Sequence, residues 1–158
     1  MRVVKTVTNP RPITSSRSTV SSSRPARALE LKVQSHPANL ASVRKQIETY
    51  ALEQGFDEKA VAEIGLVVNE AMANVIRHAY DNRFDRPIHV SAVMEDPNQL
   101  KIAMRDWGKG IDPSKLPPKR RDPLTPGGVG LICLKQWMDN VVFTPQPDGM
   151  LMTMIRRK

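Results

Sequence analysis

One stretch, residues 63–80 (EIGLVVNEAMANVIRHAY), constrains this 158-residue chain more than any other. Ile64, Val67, Val68, Ala71, Val75 and Ala79 recur at the i, i+3, i+4 spacing of an apolar stripe. Pro is absent, and Gly65 is the one weak helix former inside it. The pattern predicts a long amphipathic helix that must bury its stripe against another layer. Glu63, Glu70 and Asn74 stand along the margin of the stripe, and Glu70 and Asn74, four apart, project together from successive turns. Such a carboxylate and carboxamide either look into a pocket or are ordinary solvated helix residues, and the helix alone leaves both readings open.

The rest of the chain supplies the partner layer. Leu29–Gln34 alternates apolar and polar residues and reads as a strand. Pro37 opens a helical stretch to about Gln54, with Leu40, Val43, Ile47 and Ala51 on one face and Gly55 as the stop. Asp57 is placed to cap the long helix, which is expected to run to about Asn82. Residues 88–94 and 100–105 read as a strand pair around Pro97-Asn98, and residues 140–144 and 150–155 as a second pair around Pro147-Asp148-Gly149. Between the pairs, residues 107–128 hold five of the thirteen prolines and read as a long loop, followed by a short apolar helix over 129–138. Strands joined by short turns, with helices in separate runs, imply an α/β (α+β) two-layer sandwich: a mixed, mostly antiparallel sheet with helices on one face.

Composition limits what the chain does. The +8 formal charge is concentrated in residues 1–27, which carry six basic residues and no acidic one; the remainder has 18 basic against 16 acidic residues, about +2. The Ser-, Pro- and Arg-rich 1–27 stretch reads as a disordered basic tail, and 28–158 as one folded domain. A near-neutral body argues against direct nucleic-acid binding. No apolar run approaches the ~20 residues of a membrane span, and the N-terminus lacks a secretory apolar core. The single Cys133 excludes an internal disulfide and fits a reducing, cytoplasmic setting. His36, His78 and His89 are scattered, with no Cys/His cluster at zinc spacing.

Three short motifs follow one another: Glu70-x-x-x-Asn74 on the long helix, Asp106-Trp107-Gly108-Lys109-Gly110 at a strand end, and Gly128-Val129-Gly130-Leu131 at a helix start. Each alone is weak, but together they make one chemistry. A strand-end Asp106 in a cleft accepts from an exocyclic amine such as that of adenine. Gly108 and Gly110 admit close approach by a ring or phosphate. Gly128 and Gly130 offer backbone N–H groups at a helix N-terminus, an anion site. The Asn74 amide oxygen suits a Mg²⁺ held mainly by phosphates and water. Glu70 is placed to take a proton from an attacking hydroxyl or water. Lys115, Lys119, Arg120 and Arg121 in the intervening loop are either phosphate contacts or solvated charges.

These motifs resemble the N, G1 and G2 boxes of the GHKL ATPase superfamily, and residues 63–80 resemble the anti-sigma factor serine/threonine kinases of bacteria, as does Trp137-Met138-Asp139-Asn140-Val141 after the third motif. The resemblance covers about residues 29–156. It implies a Bergerat ATP-binding fold, ATP and Mg²⁺ as cofactors, Asn74 on the metal, Asp106 on adenine and Glu70 as catalytic base. It also implies phosphorylation of a serine on an anti-anti-sigma antagonist, sequestration of a sigma factor, and a homodimer. Two departures stand out. Where the family often has Gly-Thr after the last turn, this chain has Gly149-Met150, and its loop over the nucleotide is short and proline-rich.

Four functions compete on this reading. A protein-serine/threonine kinase and a non-catalytic ATP-gated switch share Asn74, Asp106 and the glycines, and differ in whether Glu70 works. A histidine kinase domain is disfavoured because no helical hairpin with a phosphoacceptor His fits before residue 29. A nucleic-acid binder rests on the tail alone.

Overall fold

The computed structural model describes residues 27–110 and 134–158. The tail before residue 27, the loop from 111, the Gly128–Leu131 motif and Cys133 lie outside them. In chain order the elements are β1 (Leu29–Gln34), α1 (Asn39–Glu53), α2 (Glu58–Asn74) running into a π-helical turn (Val75–Ala79), β2 (Pro87–Asp96) and β3 (Gln99–Asp106). A helical turn over 134–137 then precedes β4 (Asn140–Gln146) and β5 (Gly149–Arg157).

The five strands form one sheet in the order β1-β2-β3-β5-β4. All four pairings are antiparallel, so the described sheet is not mixed. Its inner face presents Ile88, Val90 and Ala92 from β2, Leu100, Ile102 and Met104 from β3, and Met152 and Met154 from β5. These form one core with Val43, Ile47 and Ala51 of α1 and Ile64, Val67, Val68, Ala71 and Met72 of α2. The period-2 and period-3.6 patterns of the sequence thus meet in one layer contact.

Local signals set the element ends. Asp57 caps α2, its side chain accepting from the Ala60 N–H at 2.7 Å. Gly55, at φ +87°, closes α1 in a conformation that costs a side chain. Gly65 lets the helices close, because a Cβ there would run into the Glu48 side chain of α1.

The long helix departs from expectation at one point. It is α-helical only to Asn74 and then widens into the π turn, with the Tyr80 N–H donating to the Val75 carbonyl at 3.0 Å. The chain leaves it through Asp81 and Asn82, both at positive φ. A tertiary contact holds its end. The Ala79 carbonyl accepts from the Lys109 N–H at 3.1 Å, which turns the end of the helix toward the loop after β3. π turns of this kind recur beside functional groups.

Candidate functional site

The core has three buried polar residues among the described ones: Ser35, Asn74 and Asp106. Ser35 is structural, for its hydroxyl donates to the Arg83 carbonyl at 2.5 Å and accepts from the Arg86 N–H at 3.1 Å, pinning the loop before β2. Asn74 and Asp106 instead line one cleft between α2 and the sheet, together with Ala71, Val75, Leu134, Phe143, Met150 and Met152. The last turn of α2 delivers Asn74, and the end of β3 delivers Asp106 on the inner face. Two motifs 32 positions apart in sequence are thus brought to one place.

Asp106 is 3% exposed. Burial pushes its carboxyl above the ordinary value of 3.8. The Gly108 N–H, the Arg105 guanidinium and the Met150 N–H oppose that push. The Gly108 N–H reaches Oδ1 at 2.9 Å. A carboxylate in this setting is a strong acceptor for an N–H donor that enters the cleft.

Glu70 does not line the cleft, but a residue that the motif reading passed over ties it in. Arg77 Nη2 donates to Glu70 Oε1 at 2.9 Å and to Asn74 Oδ1 at 2.9 Å. One guanidinium therefore joins the candidate base to the candidate metal ligand. The signal was in the sequence, since Arg77 stands three residues after Asn74 and seven after Glu70, on the same helix face.

The glycine loop is fixed from behind. A Cβ on Gly108 would strike the Ala79 carbonyl, so this glycine is required by the chain's own backbone whatever else approaches it. Gly110 sits at φ +77°. Tyr80, 5% exposed, donates to the Pro87 carbonyl at 2.5 Å and accepts from the Trp107 N–H at 2.8 Å. Burial pushes its hydroxyl above the ordinary 10.0. Trp107 lies on the outer side, edge-on to His89 with ring centres 4.7 Å apart, and Arg105 covers its face at 4.6 Å. Trp107 thus packs beside the motif and does not line the cleft.

The donor set fits an adenine nucleotide with a divalent cation: an amide oxygen and a buried carboxylate at the edge of an otherwise apolar slot. Among the described residues no three His, Cys, Asp or Glu side chains gather into a metal site.

The comparisons agree with this geometry. Residues 33–156 match the model of the histidine kinase-like ATPase domain. The serine-protein kinase RsbW of Oceanobacillus iheyensis is 27% identical over 133 residues, 78% of this chain and 83% of that protein. The anti-sigma F factor of Heyndrickxia coagulans is 31% identical over 125 residues, 77% of this chain and 84% of that protein. In fold, the chain is similar to a crystal structure of the RsbU and RsbW domains of a Mycobacterium tuberculosis protein, at TM-score 0.64 and 18% identity. That likeness covers 84% of this chain and 33% of the longer one. A blue-light activated histidine kinase domain of Erythrobacter litoralis follows at TM-score 0.52, with 77% of this chain and 60% of that one covered. The chain belongs to the histidine kinase-like ATPase domain family, in the group that holds the RsbW serine-protein kinases and the anti-sigma F factors.

Proposed function

We propose that this chain binds Mg-ATP in the Asn74–Asp106 cleft and transfers the γ-phosphoryl group to a serine of an anti-anti-sigma-type partner, alternating with sequestration of a sigma factor. One observation carries the reading: two of the three buried polar side chains among the described residues face one slot.

Asp106 accepts from the exocyclic amine of the base, which selects adenine over guanine. The Asn74 amide oxygen would hold the metal, which would supply positive charge to offset that of the phosphates. Gly110 leaves backbone open to the nucleotide, Gly108 serves the packing of its loop against Ala79, and Gly128, Val129, Gly130 and Leu131 would supply N–H groups to the phosphates. Glu70 takes the proton of the attacking serine hydroxyl as the new P–O bond forms and the bond to the β,γ-bridging oxygen breaks, releasing ADP. The near-neutral body supports protein partners over nucleic acid. No helix among the described residues is long and apolar enough to cross a membrane. The chain acts as a homodimer in the cytoplasm, where its resemblance to the anti-sigma kinases would place it.

A second reading, a non-catalytic nucleotide-gated switch, is favoured by the Arg77 bridge, which already engages one oxygen of Glu70. Calorimetry with ATP, ADP and GTP, with and without Mg²⁺, followed by phosphotransfer to a partner, separates the two. Magnesium-dependent, adenine-selective binding supports the pocket. Glu70→Ala should keep ATP binding and lose phosphotransfer by about 10²–10⁴-fold. Transfer at the normal rate by that variant would remove the kinase role of Glu70.

A further inference from the structure

The slot between Asn74 and Asp106 is almost full. Its cavity is about 10 Å³, the room of about one water. A purine does not enter a space that small without displacing a side chain.

The side chain best placed to move is Met150. Its backbone pairs opposite Asp106 in the β3–β5 ladder. It is 3% exposed and faces inward. Its terminal methyl lies 3.9 Å from the position a Cβ would take on Gly110. Met150 therefore stretches from the first residue of the Asp-x-Gly-x-Gly motif to the last. Ala71 and Val75 are fixed on the helix, and Phe143 is a ring held by its strand. Methionine has three rotatable bonds and no branch, so it leaves a pocket at lower cost than Ala71, Val75 or Phe143, and of the two methionines in the slot Met150 is the one opposite Asp106, Met152 standing opposite Met104.

We propose that Met150 is a gate: its thioether fills the base subsite, and an adenine nucleoside triphosphate binds only by displacing it. This rests on the nucleotide-binding reading above and adds to it the residue that sets affinity. Moving a buried methionine toward water opposes binding, so its removal tightens binding by about tenfold.

The test is calorimetric titration of the full chain with Mg-ATP, comparing wild type, Met150→Thr and Met150→Leu, each first shown to be folded by circular dichroism. Met150→Thr is expected to bind about tenfold tighter, and Met150→Leu, which keeps the volume, to match wild type. Met150→Val, shortened without a hydroxyl, is expected to tighten binding in the same way, and it carries the test should the threonine variant not fold. Binding by both shortened variants with wild type silent also supports the gate, and tightening by Met150→Thr with none by folded Met150→Val overturns it. Equal or weaker binding by the shortened variants, while wild type binds, overturns it and leaves the nucleotide site standing. Silence of folded wild type and folded shortened variants alike at millimolar Mg-ATP overturns the nucleotide reading and the gate with it.

Discussion

The chain has two tyrosines, and the same substitution should affect them in opposite directions. Both are buried, Tyr50 at 7% and Tyr80 at 5% exposure. The Tyr80 hydroxyl serves two backbone groups, the Pro87 carbonyl at 2.5 Å and the Trp107 N–H at 2.8 Å. Tyr80→Phe strands both. A buried group left without its partner costs about 1–2 kcal/mol, so the sum is about 2–4 kcal/mol. The Trp107 bond is only part-buried, so the lower part of that range, about 2–3 kcal/mol, is expected. At about 3 °C per kcal/mol for a domain of this size, Tm should fall by about 6–9 °C. The Tyr50 hydroxyl, by contrast, is buried with no hydrogen-bond partner among the described residues. Tyr50→Phe removes a desolvated group that receives nothing in return, so its stability should be unchanged or higher by up to about 1 kcal/mol. Urea unfolding followed by far-UV circular dichroism measures both. Equal losses in the two variants, or a change under about 0.5 kcal/mol for Tyr80→Phe, would refute the hydroxyl accounting. Because Tyr80 also holds the start of the glycine loop, Tyr80→Phe should weaken Mg-ATP binding while Tyr50→Phe leaves it intact.

Asp106 should give a pH signature. Its folded carboxyl titrates above the ordinary 3.8, so the fold is free of its penalty below that value and loses stability as pH rises through the raised one. Asp106→Asn should therefore gain in Tm over wild type from acid to neutral pH, and a gap that does not widen contradicts the burial argument. Nucleotide binding should run the other way, failing in wild type as acid protonates Asp106 at a pH higher than an ordinary aspartate requires. Gly108→Ala should cost more than about 2 kcal/mol, since the new Cβ meets the Ala79 carbonyl, and hydrogen exchange should show the Lys109 N–H released. Arg156, which pairs with Glu63 at 2.6 Å and donates to the Trp137 carbonyl, should cost about 2–3 kcal/mol when changed to Ala. The double change Glu63→Gln, Arg156→Met should cost less, because no charge is then left unpaired.

What the sequence made legible was local. The stripe in α2, the Asp57 cap, the Gly55 stop and the strand alternation each depend on neighbours within a turn or two, and each reappears in the structure. The π turn did not announce itself, and the contacts that hold its end, from the Lys109 N–H to the Ala79 carbonyl and from the Trp107 N–H to the Tyr80 hydroxyl, cross about thirty positions of chain. Asn74 and Asp106 could be paired from motif order, but the tightness of the slot between them could not. That needed the register placing Met150 opposite Asp106, and register is a property of the sheet. The short motif description also hid that Gly108 is required by the chain's own packing against Ala79, independently of any ligand.

The Arg77 bridge bears on how the site would work. Its guanidinium uses one oxygen of Glu70 and one lone pair on the Asn74 oxygen, leaving Glu70 Oε2 and the second Asn74 lone pair available. Glu70 and Arg77 are 28% and 42% exposed, and a pair that wet contributes under about 1 kcal/mol. So weak a tie orients the carboxylate and the amide without locking either. A multiply charged phosphate outbids a single carboxylate for a guanidinium, because the attraction grows with the charge on the anion. Arg77 therefore keeps two side chains four residues apart in one orientation until an anion draws it away, which is compatible with catalysis by Glu70 and costs the nucleotide little. The barrier to entry then lies at the apolar end of the slot, with Met150, and not at its charged edge.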